Sequence, residues 1–341
     1  MSPFLFKFAI GKALPMDALD NIQLPVRHDL EHFNEMFKAT LTTSNPILNK
    51  ALEHIVKRQG KQMRPMLTLL SARLFLEADA LLPDSVLHAA IALELLHTAS
   101  LVHDDVVDES DMRRGQQSLN SLLSSKSAVL VGDFLLSKSI EHASVVGDIR
   151  VPQCVAELGK MLVDGELLQL VNIDSDSMEE SAYYEVIRKK TASLFATCAH
   201  LGSVLAGADE GSADLMKRFG MLLGICFQLR DDMFDYDSGH DVGKPAGNDM
   251  KEGKLTLPVL FAARRNKSAH ELALKVRRGT ASEEEISVLV HLTYDEGGII
   301  YAEKAMQDFT GMAEGLLDDF DNPAVVGSLL SYLHFVSRRT I

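Results

Sequence analysis

Cysteine is scarce in this chain. Cys154, Cys198 and Cys226 lie far apart in apolar surroundings, with no CxxC and no metal-ligand spacing. Buried, reduced thiols are expected, as in a reducing cytoplasm. Positive charge is also short. Lys and Arg number 34 against 48 Asp and Glu, a formal net charge of −14. A nucleic-acid binder would need a basic face, so that class is excluded. No uninterrupted apolar run reaches membrane length. The closest, Val86 to Val102, is broken by His88, Glu94 and His97 and reads as a helix buried in protein, with no transmembrane segment. Strand-type alternation, internal repeats and low-complexity linkers are absent as well. Residues 1–16 carry Lys7 and Lys12 and no acid. They lack a small-residue cleavage site and the Arg and Ser richness of a transit peptide, so a loosely docked N-terminal extension is expected.

What is present is helical periodicity and a composition that supports a core, 46% hydrophobic with 24% charged. Asp84 to Asp105 is apolar on most faces, which marks a helix inside a bundle. Further helices are predicted over Ser127–Val146, Glu157–Val171, Tyr183–Ala206, Ala213–Arg230 and Val259–Arg264, with a polar loop over Asp174–Ser181. Gly220 and Gly224, one turn apart, predict a close helix crossing. Ser282 followed by Glu285 has the form of a capping box, so a helix should start there. The expectation is one all-α domain over 17–341, a large helix bundle around a central cavity.

Two aspartate clusters stand out: Asp104, Asp105 and Asp108, and Asp231, Asp232 and Asp235. Each is DDxxD. Residues i, i+1 and i+4 of a helix share a face, so each cluster should gather three carboxylates on one patch. Like charges at that spacing repel, and a cation should sit there. Carboxylate oxygens suit Mg²⁺, which keeps room for water and substrate phosphates. Two such patches could hold a diphosphate through bridging ions. Basic groups bracket both: Lys61 and Arg64; Arg113 and Arg114; Lys189, Lys190 and Thr191; Lys244 and Lys254. Arg forks and Lys ammonium groups are the direct partners a diphosphate needs. His97 precedes Asp104 by two helical turns on the same stripe, whereas His103 turns off the motif's face.

These segments resemble the trans-prenyl diphosphate synthases, with the octaprenyl and solanesyl branch the nearest in flavour. Glu94 to Gly115 looks like that family's first aspartate-rich motif and Phe227 to Tyr236 like its second. Gly60 to Pro65 looks like its GKxxRP element; Lys190-Thr191 and Gly243 to Lys254 look like its remaining phosphate-binding segments. The resemblance runs in order from about Asp20 to the C-terminus. It implies the all-α isoprenoid synthase fold, a homodimer, and three Mg²⁺ per active site with substrate bound. It implies that Asp104, Asp105, Asp108, Asp231, Asp232 and Asp235 hold Mg²⁺. Arg113, Lys190, Thr191, Gln228, Lys244 and Lys254 would contact an allylic diphosphate, with Lys190 and Lys244 acting in catalysis. Lys61, Arg64, His97 and Arg114 would hold isopentenyl diphosphate. Arg230 stands where some relatives carry a small or apolar residue.

The implied reaction breaks the allylic C–O bond, lets the double bond of isopentenyl diphosphate attack the cation, and ends with loss of a proton. The product would be a long all-trans polyprenyl diphosphate for quinone side chains, handed on to a membrane. A shorter geranylgeranyl product and a non-catalytic partner subunit are the alternatives. All six aspartates are retained, which argues against the subunit. A terpene cyclase would have no use for an isopentenyl diphosphate site.

Ala99 and Ser100 lie one turn before Asp104, where short-chain relatives carry bulky aromatics. Their small size predicts an open tunnel, with Leu93 and Leu96 deeper along it. Ala99→Phe is therefore expected to shorten the product, read by chromatography of the dephosphorylated chains. An unchanged chain length would refute the tunnel assignment.

Overall fold

Apolar residues recur with helical spacing along nearly the whole chain, and helices form accordingly. The computed structural model describes residues 17–57, 60–113, 116–236 and 247–338. It begins with α1 (Asp17–Gln23), α2 (Arg27–Thr40), α3 (Pro46–Lys57), α4 (Met63–Arg73) and α5 (Asp84–Val107). A short antiparallel pair, β1 (Met112–Arg113) against β2 (Gln116–Gln117), is the only strand pairing among the described residues. Next come α6 (Leu119–Leu122), α7 (Ser125–Val145), α8 (Arg150–Ile173), α9 (Glu180–Ile187), α10 (Ser193–Leu205) and α11 (Glu210–Phe234). The chain closes with α12 (Asn248–Lys251), α13 (Leu257–Arg265), α14 (Lys267–Arg277), α15 (Glu283–Asp295), α16 (Gly298–Gly315) and α17 (Pro323–Arg338). The N-terminal extension predicted over 1–16 lies outside the described residues.

α5 sits at the centre, packed by α4, α7, α8 and α10. It is long and apolar enough to cross a membrane by composition, but 61% of its apolar window is buried inside the bundle. That is the behaviour of a core helix. Cys198 and Cys226 are buried and Cys154 is half-buried; all three are free. Burial pushes the Cys198 thiol up to about 12 and the Cys226 thiol up to about 11, so neither is a poised nucleophile.

α10 crosses α11 closely. A Cβ on Gly220 would lie 2.5 Å from the Phe195 carbonyl oxygen, and one on Gly224 would lie 2.5 Å from Ala192 Cα. Only glycine allows that approach. The predicted box at Ser282 forms: the Glu285 N–H donates to Ser282 Oγ at 3.2 Å, and the Ser282 N–H donates to Glu285 Oε2 at 3.0 Å.

Two expectations need correction. α8 starts at Arg150 rather than Glu157, because Asp148 accepts the Arg150 N–H at 2.9 Å and opens the helix there. The predicted helix over Tyr183–Ala206 is interrupted by a π-helical turn, Arg188–Ala192. Such turns insert one residue and rotate the rest of the helix, often at functional sites. This one carries Lys190 and Thr191.

Candidate active site

The first aspartate motif straddles the end of α5. The Glu109 N–H donates to Val106 O at 3.3 Å and the Ser110 N–H to Asp105 O at 3.0 Å. That pattern is a Schellman cap, with Glu109 at φ +48° where glycine is usual. Asp105 is buried, Asp104 is half-buried, and Asp108, the cap residue, is exposed. The Asp108 N–H still donates to Asp104 O at 2.8 Å, so the cap residue keeps its helical register with Asp104. His97 is half-buried two turns back. His103 turns to α7, its Nε2 lying 3.2 Å from Val129 O and 3.6 Å from Asp133 Oδ1, as its register predicted.

The second motif also ends its helix, α11, in i→i−3 bonds from the Asp235 N–H to Asp232 O at 3.3 Å and from the Tyr236 N–H to Met233 O at 3.2 Å, and its carboxylates are held by neighbours. Tyr183 on α9 donates its hydroxyl to Asp232 Oδ2 at 2.5 Å. Gln228 Nε2 donates to Asp232 Oδ1 at 2.7 Å. Thr191 Oγ1 donates to Gln228 Oε1 at 2.7 Å, which fixes the amide with its nitrogen toward the aspartate. Asp235 accepts the Asn248 and Asp249 N–H groups at 2.9 and 3.1 Å and so anchors the start of α12. Burial raises the Asp232 carboxyl well above the ordinary range, and the nearby charges of Asp249 and Asp231 add to it against the Tyr183 and Gln228 hydrogen bonds. Asp249 is raised to about 7, first by burial and then by Asp235.

A cavity of about 210 Å³ opens here. Lys190, Thr191, Gln228, Asp231, Asp232 and Lys254 line it, so six of the expected residues meet in one place. Asp249 and Tyr183 join them. Neither was foreseen. Asp249 lies inside the segment Gly243–Lys254 and could have been counted as a further acid. Tyr183 had no local signal, because its partner is 49 positions away.

The cations rest on carboxylates. Lys190 pairs with Glu166 and lies 3.5 Å from Gln169 Oε1. Lys189 faces away, on Asp164 at 2.7 Å and Glu185 at 3.3 Å. Lys254 bonds Glu252 at 2.6 Å. Burial works against its charge, but Glu252, Asp108 and Asp249 outweigh that and raise its pKa. Lys254 thus feels Asp108 of the first motif as well as Asp249, which follows the second.

The other expected residues that the structure describes lie outside this cavity's lining. Lys61 places its ammonium 5.1 Å from the centre of the Phe335 ring, and Arg64 lies 5.3 Å over Phe195. Ala99 is buried in α5, and Ser100 donates its hydroxyl to His97 O at 2.9 Å. Arg114, Lys244 and the side chain of Arg113 lie outside the described residues.

Residues 45–293 match the model of the polyprenyl synthetase family. The chain is 36% identical to the octaprenyl diphosphate synthase of Escherichia coli over 247 residues, 72% of this chain and 75% of that protein. It is similar in structure to the geranylgeranyl pyrophosphate synthase of Bacteroides thetaiotaomicron, with a TM-score of 0.83 and 40% identity, covering 95% of this chain and all of that one. The decaprenyl diphosphate synthase of Rhodobacter capsulatus matches at a TM-score of 0.87 and 31% identity, covering 94% of this chain and 98% of that one. The chain belongs to the polyprenyl synthetase family, and it is a prenyltransferase with the all-α isoprenoid synthase fold.

Such enzymes are generally metal-dependent. The donor set fits a hard divalent ion: Asp232 and Asp249, both held above the ordinary carboxylate range, adjoin Asp231 and Asp235, and an added cation would relieve that crowding. Among the described residues, no three acidic, histidine or cysteine groups stand close enough together to hold an ion.

This crowding has a pH signature. A carboxyl whose pKa rises on folding favours the fold while protonated, and that advantage is lost as pH climbs from its ordinary value, near 4, through its folded value. For Asp249 the window closes at about 7. Asp249→Asn is expected to stabilise the metal-free protein at pH 8 by on the order of 1 kcal/mol, a rise of a few degrees in Tm, with no gain at pH 4. Thermal melts at the two pH values check this; equal gains at both would disprove it.

Proposed function

We propose that this protein is a Mg²⁺-dependent synthase that extends an allylic diphosphate, farnesyl diphosphate by preference, with isopentenyl diphosphate to a long all-trans polyprenyl diphosphate. The observation that carries the reading is one cavity in which Lys190, Lys254, Thr191 and Gln228 meet Asp231 and Asp232 of the second motif. Cations and carboxylates share that cleft, as the holding of a diphosphate with its metal ions would require. Asp104, Asp105, Asp108, Asp231, Asp232 and Asp235 would hold Mg²⁺, with Asp249 added to the second set. Bound there, Mg²⁺ would supply Lewis-acid stabilisation of the charge on the leaving diphosphate.

The chain's own groups do the rest. Lys190 and Lys254 rest on Glu166 and Glu252. A diphosphate carries more charge than either carboxylate and draws both ammonium groups onto its oxygens. Thr191 and Gln228 orient it by hydrogen bonds, together with Arg113 and Lys244. Lys61, Arg64, His97 and Arg114 hold isopentenyl diphosphate. As the C–O bond breaks, the electron pair leaves with the diphosphate, whose developing charge these fixed cations stabilise. The isopentenyl double bond attacks the allylic carbon, and the proton lost from the adduct passes to the released diphosphate. Leu93, Leu96 and Ala99 are buried on α5, an apolar surrounding that keeps water from quenching the cation.

Ala99 and Ser100 support a long product, since neither can block a growing chain. With Mg²⁺, farnesyl diphosphate and labelled isopentenyl diphosphate, the expected product ladder ends near octaprenyl length. A stop at geranylgeranyl would overturn the long-chain reading while leaving the reaction class intact.

The resemblance to a dimeric family is supported on α8, whose outer face exposes Val163, Leu167, Leu170 and Val171 at helical spacing. A second copy would cover that stripe. The wild type is expected to sediment as a dimer and Leu167→Glu with Leu170→Glu as a monomer; a monomeric wild type or a dimeric variant would refute the assignment. The three free thiols support a reducing, cytoplasmic setting.

A further inference from the structure

Gln62 opens α4 in an unusual conformation. Its φ is +51° and its ψ +38°, the left-handed region. That region is disfavoured for an L residue with a long side chain; asparagine, aspartate and glycine are its ordinary occupants. The turn is needed all the same. The Gln62 carbonyl accepts the first helical bond of α4, from the Met66 N–H at 3.0 Å, so the chain must swing from Lys61 directly into the helix.

The Gln62 side chain does not cap its own helix. It forms a reciprocal amide pair with Asn34 on α2. Asn34 Nδ2 donates to Gln62 Oε1 at 3.3 Å, and Gln62 Nε2 donates back to Asn34 Oδ1. Asn34 has a firm base. Phe33 and Phe37, on the same helix, are buried and stacked with ring centres 5.6 Å apart. On the far side of the turn, the Tyr332 hydroxyl on α17 donates to Met63 O at 2.7 Å. The two residues that leave the chain on either side of this clamp are Lys61 and Arg64.

We propose that Asn34 is a positioning residue for isopentenyl diphosphate: its amide pair holds Gln62 in the left-handed turn and so sets the directions of Lys61 and Arg64. The inference rests on the reading of Lys61 and Arg64 given under Proposed function. Backbone strain kept at a binding site is a recognised means of preorganisation. Without Asn34, Gln62 can relax to an ordinary φ, and the Lys61 ammonium moves with it. Glycine at position 62 would hold the same φ with no clamp.

The test is steady-state kinetics on Asn34→Ala and on Asn34→Ala combined with Gln62→Gly, with calorimetric titration of isopentenyl diphosphate. Asn34→Ala is expected to raise KM and Kd for isopentenyl diphosphate about tenfold, leaving kcat and the KM for farnesyl diphosphate within about twofold. The double variant is expected to recover most of that loss. An unchanged KM in Asn34→Ala overturns the proposal. So does a loss that Gln62→Gly fails to rescue, or a parallel loss for both substrates, since either would mark a packing role. Lys61→Ala and Arg64→Ala serve as controls. If they raise the isopentenyl diphosphate KM while Asn34→Ala does not, only the positioning role fails. If neither control changes it, the underlying site reading fails too.

Discussion

The close crossing of α10 and α11 is the contact on which the site depends. Gly220 and Gly224 let α11 approach the backbone of Ala192 and Phe195 with no side chain between them. Thr191, in the π-helical turn just before that contact, is thereby brought to Gln228, and Gln228 to Asp232. A Cβ at either glycine would force the helices apart. The hydrogen-bond chain from Thr191 through Gln228 to Asp232 would lengthen with them. The ordering of polar groups at the site thus depends on dense packing a turn or two below it.

Electrostatics then gives the site its character. Asp232 is buried among acids, and burial is the main reason its carboxyl resists ionisation. Tyr183 and Gln228 offset part of that cost by donating to both of its oxygens. Lys190 and Lys254 line the cavity but are occupied, each by a glutamate, Glu166 and Glu252. The arrangement is poised: negative charge is crowded at the second motif, and the cations are held by partners weaker than a diphosphate. Metal ions and diphosphate together would resolve both tensions at once.

Much of this is legible in the residues alone. The helical class comes from periodicity, because apolar spacing maps directly onto helix faces. The capping box at Ser282 and the crossing at Gly220 and Gly224 come from residue types whose local geometry is nearly unique. The resemblance to the prenyl diphosphate synthases, carried by the motifs, implied that Lys190, Thr191, Gln228, Asp231, Asp232 and Lys254 serve one diphosphate, and they line one cavity. Other features were hidden. The π-helical turn leaves no periodic mark in so short a stretch. The Schellman cap that ends α5 just after the first motif was also hidden, since Glu109 is not a residue that announces a left-handed turn.

The sequence by itself determined which chemistry is available: two triads of hard oxygen donors, basic groups bracketing them, and apolar helices able to exclude water. Those are properties of residue type and spacing along one helix, and they survive without knowledge of the fold. Tertiary structure alone decided how the pieces meet. It set Asp235 to anchor α12, set Tyr183 against Asp232, gathered Lys190 and Lys254 around one cavity with Asp232, and clamped Gln62 against Asn34. Each of these joins residues distant in the chain or bends a local rule. Such contacts are selected by the packing of whole helices, which no local pattern encodes.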